Sequence, residues 1–362
     1  MSSQLEVSIP ASDTTVKVCL INPVNFGPAQ INRFMAPPVP GLEHFKTCPS
    51  FSFYIEHPSG RKIVFDLGIR KDPENYSKKI ADYLPTTKYD IRVSKNVVDI
   101  LQEYGIRPGE IEAVVWSHWH WDHIGDPSSF PNGVNLVVGQ GFKDAMLPGY
   151  PANPDSPILE SDYANRDLRE IIFDTNIKIG RFPAFDYFGD GSFYLLDSPG
   201  HAIGHLCGLA RTTIEAGGKD TFVLLGGDIC HYAGIFRPSR HLPVPESIIP
   251  HPCIHDSPAI PFCPGSAFDD LQASRGRKSS DTVYDITFGH DIPLATKTMG
   301  WLQELDCADN IFVIIAHDST IRDGVEHFPK TLNSWKANGW GIALKWAFFR
   351  DLKTYWKEKG VA

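Results

Sequence analysis

The sequence predicts an α/β fold with buried sheets, and two observations carry that expectation. Residues 111–117, 192–197, 221–227 and 311–316 are short runs, apolar at most positions. Such runs suit strands covered on both faces rather than strands with one wet side. Each run is also followed closely by a metal-capable side chain: His118, His201, Asp228 and His317. A recurrent ligand at a strand end is how a rigid scaffold presents a site.

The elements follow in order. Residues 16–22 read as a first strand, and residues 51–56 and 62–66 as a hairpin around Pro58-Ser59-Gly60. Residues 93–104 place Val93, Val97, Ile100, Leu101 and Tyr104 at helical spacing, with Gly105 as the stop. The four apolar runs come next, interrupted by two stretches without clear periodicity. Residues 141–190 contain Pro148, Pro151, Pro154 and Pro157, and residues 237–290 contain a proline-dense run from Pro238 to Pro264. Long irregular connections tend to be functional. The second starts nine residues after Asp228, so it reads as a cap bordering the site. Residues 341–356 carry Ile342, Trp346, Phe349, Leu352 and Trp356 on one face, which predicts a terminal helix packed on the body. One domain spanning 1–362 with these two insertions is the expected organisation.

Composition narrows the function. The 42% hydrophobic share supplies a core that needs no disulfides. Against 34 basic residues stand 43 acidic ones, a net charge of −9, and the only basic cluster is Arg275-Gly276-Arg277-Lys278. A grip on nucleic acid calls for a basic stripe, so a small, neutral or modestly charged substrate is expected instead. Lys353, Lys357 and Lys359 read as the wet face of the terminal helix. No run of 18 apolar residues exists, so no membrane span is expected. Seven cysteines without a CxxC, behind an N-terminus with no basic head and apolar run, fit a reducing cytoplasm. Cys253 and Cys263 are accordingly expected to stay unbridged. Oligomeric state is not encoded in any pattern of this chain.

The chemistry concentrates at His118-Trp119-His120-Trp121-Asp122-His123. Imidazoles two apart point the same way from an extended segment, and the following Asp and His can turn toward a neighbouring ion. Zinc takes three or four N/O ligands and leaves a position for water. Two ions about 3.5–4 Å apart clamp both the attacking and the leaving atom. Six residues offering four ligands are an economical start for such a pair. Trp119 and Trp121 are expected to pack around it.

This motif, with its remote partners, resembles the metallo-β-lactamase superfamily over roughly residues 16–330. The resemblance implies an αββα sandwich of two mixed β-sheets flanked by helices. It also implies a hydrolase using two zinc ions, with Mn, Fe or Co able to occupy the same ligands. His118, His120 and His201 would hold one ion, Asp122, His123 and His317 the other, and Asp228 would bridge them. Pro199-Gly200-His201 through Gly204-His205 resembles the turn whose first His is a ligand, leaving His205 as a structural hydrogen-bonder. Asp66 resembles the family's early Asp behind the ligands. His120 stands where the oxygen-reducing di-iron members have Glu, and His123 where antibiotic-cleaving members often differ. The pattern is most similar to N-acyl homoserine lactonases and related ring-opening hydrolases. Those carry a Tyr three residues after the bridging Asp; here that residue is His231, with Tyr232 next. The implied reaction opens a small lactone or lactam by attack of a metal-bridging hydroxide, with Asp122 moving the proton and Tyr232 or His231 helping the oxyanion. The rivals are phosphodiester or thioester hydrolysis and non-catalytic metal binding. His44, His57, His241, His251, His255, His290 and His327 have no comparable neighbours and read as surface or core.

Overall fold

In the computed structural model, which describes residues 7–174, 176–215, 219–254 and 260–362, two six-stranded mixed sheets face each other. His255, and residues 1–6 on which the N-terminal reading rested, lie outside the described residues. The first sheet holds β1 (Lys17–Ile21), β2 (Ser52–Glu56), β3 (Lys62–Phe65), β4 (Ala113–Val115), β5 (Asn135–Val138) and β6 (Leu168–Glu170), side by side in that order. Its first three strands are antiparallel and its last four run parallel. The second sheet holds β7 (Lys178–Ile179), β8 (Phe182–Asp186), β9 (Phe193–Asp197), β10 (Leu206–Thr213), β11 (Thr221–Leu225) and β12 (Ile311–Ile314). It is antiparallel up to β11, which pairs with β12 in parallel.

The side-chain period of two explains why the strands read as unbroken apolar runs. Val18, Leu20, Phe53 and Phe65 point inward and meet Phe193, Leu195, Val223 and Ile314 in the core between the sheets. The alternate residues Cys19, Tyr54 and Val64 face outward onto α1 (Lys78–Thr87) and α2 (Val97–Glu103) through Ile80, Leu84 and Leu101. A single turn, α3 (Trp121–Ile124), sits at the ends of the first sheet's strands. Beyond the second sheet, Leu196, Leu209 and Leu224 pack on α4 (Gly265–Ser274) and α5 (Ile292–Asp306). The result is the expected αββα sandwich. The helix predicted over 93–104 starts only at Val97, because Asn96 caps it and Asp99 Oδ2 accepts the Asn96 N–H at 2.9 Å.

Three expectations need correction. Residues 141–190 are not an irregular insertion, since they supply β6, β7 and β8. The prolines gather between 148 and 157, and Pro183 within β8 hid an edge-side strand. The 237–290 stretch is largely structural: α4 buries Ala267, Phe268 and Leu271, and Asp285–Ile286 pairs with Met35–Ala36. The terminal segment is not one helix but Trp340–Ala343, a tighter Ala347–Leu352 and Lys353–Glu358. Gly341 lets the Trp335 ring close in, where a Cβ would lie 2.5 Å from Cζ3, and the chain bends after it. With the helix ending at Ala343, Ile342 is 79% exposed instead of packed, while Phe349, Leu352 and Trp356 are buried as expected. All seven cysteines are free, with Cys253 buried and Cys263 exposed. No helix among the described residues is long and apolar enough to cross a membrane.

A buried ion cluster ties these outer segments together. Asp306, at the end of α5, accepts Arg237 Nε and Nη2 at 2.8 and 2.6 Å and Lys345 Nζ at 3.1 Å. Burial alone would raise the Asp306 pKa, but Arg237 and Lys345 prevail and hold it at about 2.

Candidate metal centre and its cleft

Every metal-capable residue named from the sequence arrives at one place. The chain leaves β4 through Ser117 to His118, His120 caps α3, and Asp122 and His123 lie on that turn. His201 follows β9 through Pro199 and Gly200, where φ of +126° and the Ala295 backbone close by admit only glycine. Asp228 follows β11, and His317 follows β12. Two sets form: His118, His120, His201 and Asp228, and Asp122, His123, Asp228 and His317. The ligand atoms within each set lie no more than 4.8 Å apart.

The donor set fits paired cations on several counts. His201 Nε2 lies 3.2 Å from His118 Nε2 and 3.0 Å from His120 Nδ1. A tetrahedron with metal–nitrogen bonds of about 2.0–2.1 Å has edges of about 3.3 Å, so this spacing suits a shared ion. On the other side, His317 Nε2 is 3.0 Å and His123 Nε2 3.3 Å from Asp228 Oδ1. His123 Nε2 and Asp228 Oδ1 are buried, with no hydrogen-bond partner among the described residues. Buried polar atoms left so would cost stability unless a ligand met them.

Hydrogen bonds behind the ligands fix which imidazole nitrogen is bare. His317 Nδ1 faces the Pro49 carbonyl at 2.7 Å, and a carbonyl only accepts, so Nε2 is left free. Asp66 accepts the Ser117 N–H at 2.6 Å, the Ser117 hydroxyl at 2.7 Å and His123 Nδ1–H at 2.9 Å. Having given its one proton to Asp66, the Ser117 hydroxyl accepts from His118 Nδ1–H at 3.0 Å. One carboxylate therefore sets the tautomers of two ligands. His205 plays the structural part expected of it: Nε2 accepts the Asp228 N–H at 3.0 Å and Nδ1 meets Ser198 Oγ at 2.8 Å.

Electrostatics divide the imidazoles. Burial, then the neighbouring histidines, pushes His118 and His201 well below the usual range, and burial takes His120 to about 4. His123 is held well above it: burial opposes, but Asp228, Asp66 and Asp122 prevail. The neutral imidazoles of the first set suit a cation as they stand, and on the other side a cation would replace the proton that the carboxylates hold on His123.

The two candidates for carbonyl assistance separate. His231 Nε2 lies 3.3 Å from Asp228 Oδ2, and its ring packs against Phe34 with centroids 4.9 Å apart. Tyr232 instead turns into the core, its hydroxyl donating to the Phe348 carbonyl at 2.9 Å and its ring packed on Phe45 and Phe348. Adjacent residues of extended backbone point to opposite sides, so only one of the two can face the metals.

Above the ligands opens a cavity of about 230 Å³. His120, Asp122, Asp228, His231 and His317 reach it, and its walls are aromatic. Phe26, Phe34 and Phe45 come from residues 25–48, Tyr83 from α1 and Tyr89 just after it. Trp121 faces the cavity too, whereas Trp119 lines a separate hollow with Lys79 and Met146. Of the described residues in 237–290 only Phe288 contributes, and the walls over the ligands come largely from the N-terminal segment instead. Sequence reasoning missed these walls. Phe26, Phe34 and Phe45 follow no period of 2 or 3.6, so no local pattern marked them.

An αββα sandwich whose strand ends gather these His and Asp side chains defines a class, and the chain belongs to it: the metallo-beta-lactamase superfamily, whose model matches residues 46–209. A Fusarium pseudograminearum protein named gamma-lactamase FDB1 is 40% identical over 357 residues, covering 95% of this chain and 84% of that protein. A Penicillium roqueforti protein named cytochrome P450 monooxygenase mpaDE is 41% identical over 96% of this chain, which spans only 38% of that relative's length. Among solved structures, B. thuringiensis AiiA with N-decanoyl-L-homoserine at its active site superposes with a TM-score of 0.55 at 17% identity, covering 88% of this chain and 99% of that one. At that identity the likeness is one of fold.

Proposed function

We propose that the chain is a di-zinc hydrolase that opens a small cyclic ester or cyclic amide fused to, or carrying, an aromatic ring. The observation that carries this reading is the pair of ligand sets sharing Asp228 at the floor of an aromatic cleft. The gamma-lactamase name of one relative agrees with it. Paired divalent ions, when bound, acidify a water and polarise a carbonyl oxygen. The chain's own groups supply the rest. Asp122, at the cleft edge of its ligand set, is positioned to take a proton and return it to the departing oxygen or nitrogen. His231 is positioned to donate a hydrogen bond to the oxygen of the attacked carbonyl. The aromatic walls hold the ring flat and exclude bulk water.

Size supports a compact substrate. A cavity of about 150 Å³ accepts benzene, so about 230 Å³ leaves room for a second small ring. A phosphodiester is disfavoured, because Arg33 is the single arginine or lysine among the described residues lining the cleft. Metal content per chain, together with a proton-release assay on lactones, lactams, thioesters and a phosphodiester, tests the proposal. About two metals with ring opening, both reduced in His120→Ala, is the expected result. Turnover of phosphodiesters alone would refute the function, and a metal-free protein would refute the centre.

A further inference from the structure

We propose that Arg33 is a specificity-determining residue that seats an acidic oxygen substituent of the ring at the cleft mouth, remote from the bond being cleaved. This inference rests on the ring-opening reading above. Arg33 ends a tight turn, Ile31–Arg33, anchored by the buried Ile31 and by pairing of Ala29–Gln30 with His44–Phe45. Its guanidinium lies 5.7 Å from the ring centroids of both Phe34 and Tyr83, and Nη2 donates to the Tyr83 hydroxyl. The exposed side chain thus leans on two walls of the cleft, which lowers the cost of ordering it when a ligand binds.

Its charge is uncommitted. Arg61 and Arg70 each have a carboxylate partner at 2.6 and 2.8 Å, whereas no Asp or Glu forms an ion pair with Arg33 among the described residues. The Tyr83 and Tyr89 hydroxyls draw on its five N–H donors without neutralising the charge, so the remaining donors can meet an oxygen anion. The cleft is therefore bipolar. Asp122 and Asp228 occupy the metal end, and Arg33 the mouth, with the rings of His231 and Phe34 packed in between. A flat substrate lying along those rings would present its carbonyl to one end and an acidic substituent to the other.

Two measurements test this. The first is the ratio of kcat/KM for dihydrocoumarin-6-carboxylate over dihydrocoumarin in the wild type, Arg33→Gln and Arg33→Lys. The wild type should prefer the acid, mainly through KM, by about 10- to 100-fold. Arg33→Gln should abolish the preference and Arg33→Lys restore part of it. An unchanged ratio in Arg33→Gln overturns the proposal. The second is equilibrium binding of naphthalene-2-sulfonate, a weak metal ligand, against 2-naphthol, followed by protein fluorescence. The sulfonate should bind about 10-fold tighter or more, and lose that advantage in Arg33→Gln and at high salt. Equal binding to wild type and Arg33→Gln overturns the inference whatever the enzyme cleaves. A sulfonate preference that depends on Arg33, in a protein that opens no lactone or lactam of the panel above, supports the inference and rejects the ring-opening reading.

Discussion

Asp66→Asn should unload the metal centre while leaving the fold standing. The substitution keeps shape and volume, and Asn tolerates the left-handed backbone that Asp66 adopts at φ +59°. What changes is the direction of the hydrogen bonds. Asp66 accepts from three donors, whereas an Asn that keeps its oxygen on the Ser117 N–H presents an NH₂ to the Ser117 hydroxyl and to His123 Nδ1. Ser117 then sends its proton to His118 Nδ1, and both imidazoles are driven to the tautomer with the proton on Nε2, the atom that faces the metals. Turning the amide over only moves the conflict onto the Ser117 N–H. Loss of such an outer partner costs about 10- to 100-fold in metal affinity or activity, or about 1.4–2.7 kcal/mol. Two ligands are affected here, so the upper end is expected. The fold should lose about 1–3 kcal/mol from weakened hydrogen bonds to a charged group. Chelator competition gives the affinity, and a urea titration of metal-free protein gives the stability. Unchanged affinity alongside lowered stability would refute the tautomer argument and reduce Asp66 to a packing residue.

Three further outcomes follow from the same geometry. Asp306→Asn strands Arg237 and Lys345 in a buried site and should destabilise by about 3–5 kcal/mol in denaturant unfolding. Because the Asp306 pKa is depressed to about 2, its contribution is full above the unfolded value of about 3.9 and is lost as pH falls between them. The acid limb of a stability–pH curve should accordingly flatten in the variant. Gly200→Ala would place a Cβ 2.3 Å from the Ala295 nitrogen, forcing the His201 loop off α5. A loss of about 1–3 kcal/mol with reduced metal content is expected, read by thermal melting and metal analysis. Tyr232→Phe should keep kcat within about twofold and lose about 1 kcal/mol of stability, the worth of its bond to Phe348. A fall of about 100-fold in kcat would place Tyr232 back among the reacting groups.

The strands and the metal ligands were legible because each obeys a local rule. Phe193–Asp197, Thr221–Leu225 and Ile311–Ile314 are apolar on both faces, and six contiguous residues carry four ligands. β7 and β8 were not, since β7 has only two residues and Pro183, which pairs with Lys178, breaks the pattern of β8. Helical spacing in 341–356 was real over Phe349, Leu352 and Trp356, yet the chain leaves the helix after Ala343 and tightens over Ala347–Leu352, which takes Ile342 off the packed face. The choice between His231 and Tyr232 could not be read from spacing. It depends on whether the chain after Asp228 enters the core or the cleft, and Phe45 and Phe348, distant in sequence, make the core side.

The origin of the cleft walls has an evolutionary consequence. Phe26, Arg33, Phe34 and Phe45 belong to a stretch that contributes no metal ligand, and Tyr83 and Tyr89 to another. Selection can therefore rework what the cleft admits by exchanging side chains in 26–48 and 83–89, Phe26 alone among these walls standing edge-on to a ligand ring, that of His317 at 5.6 Å. The walls and the ligands beneath them can thus diverge at different rates along one chain.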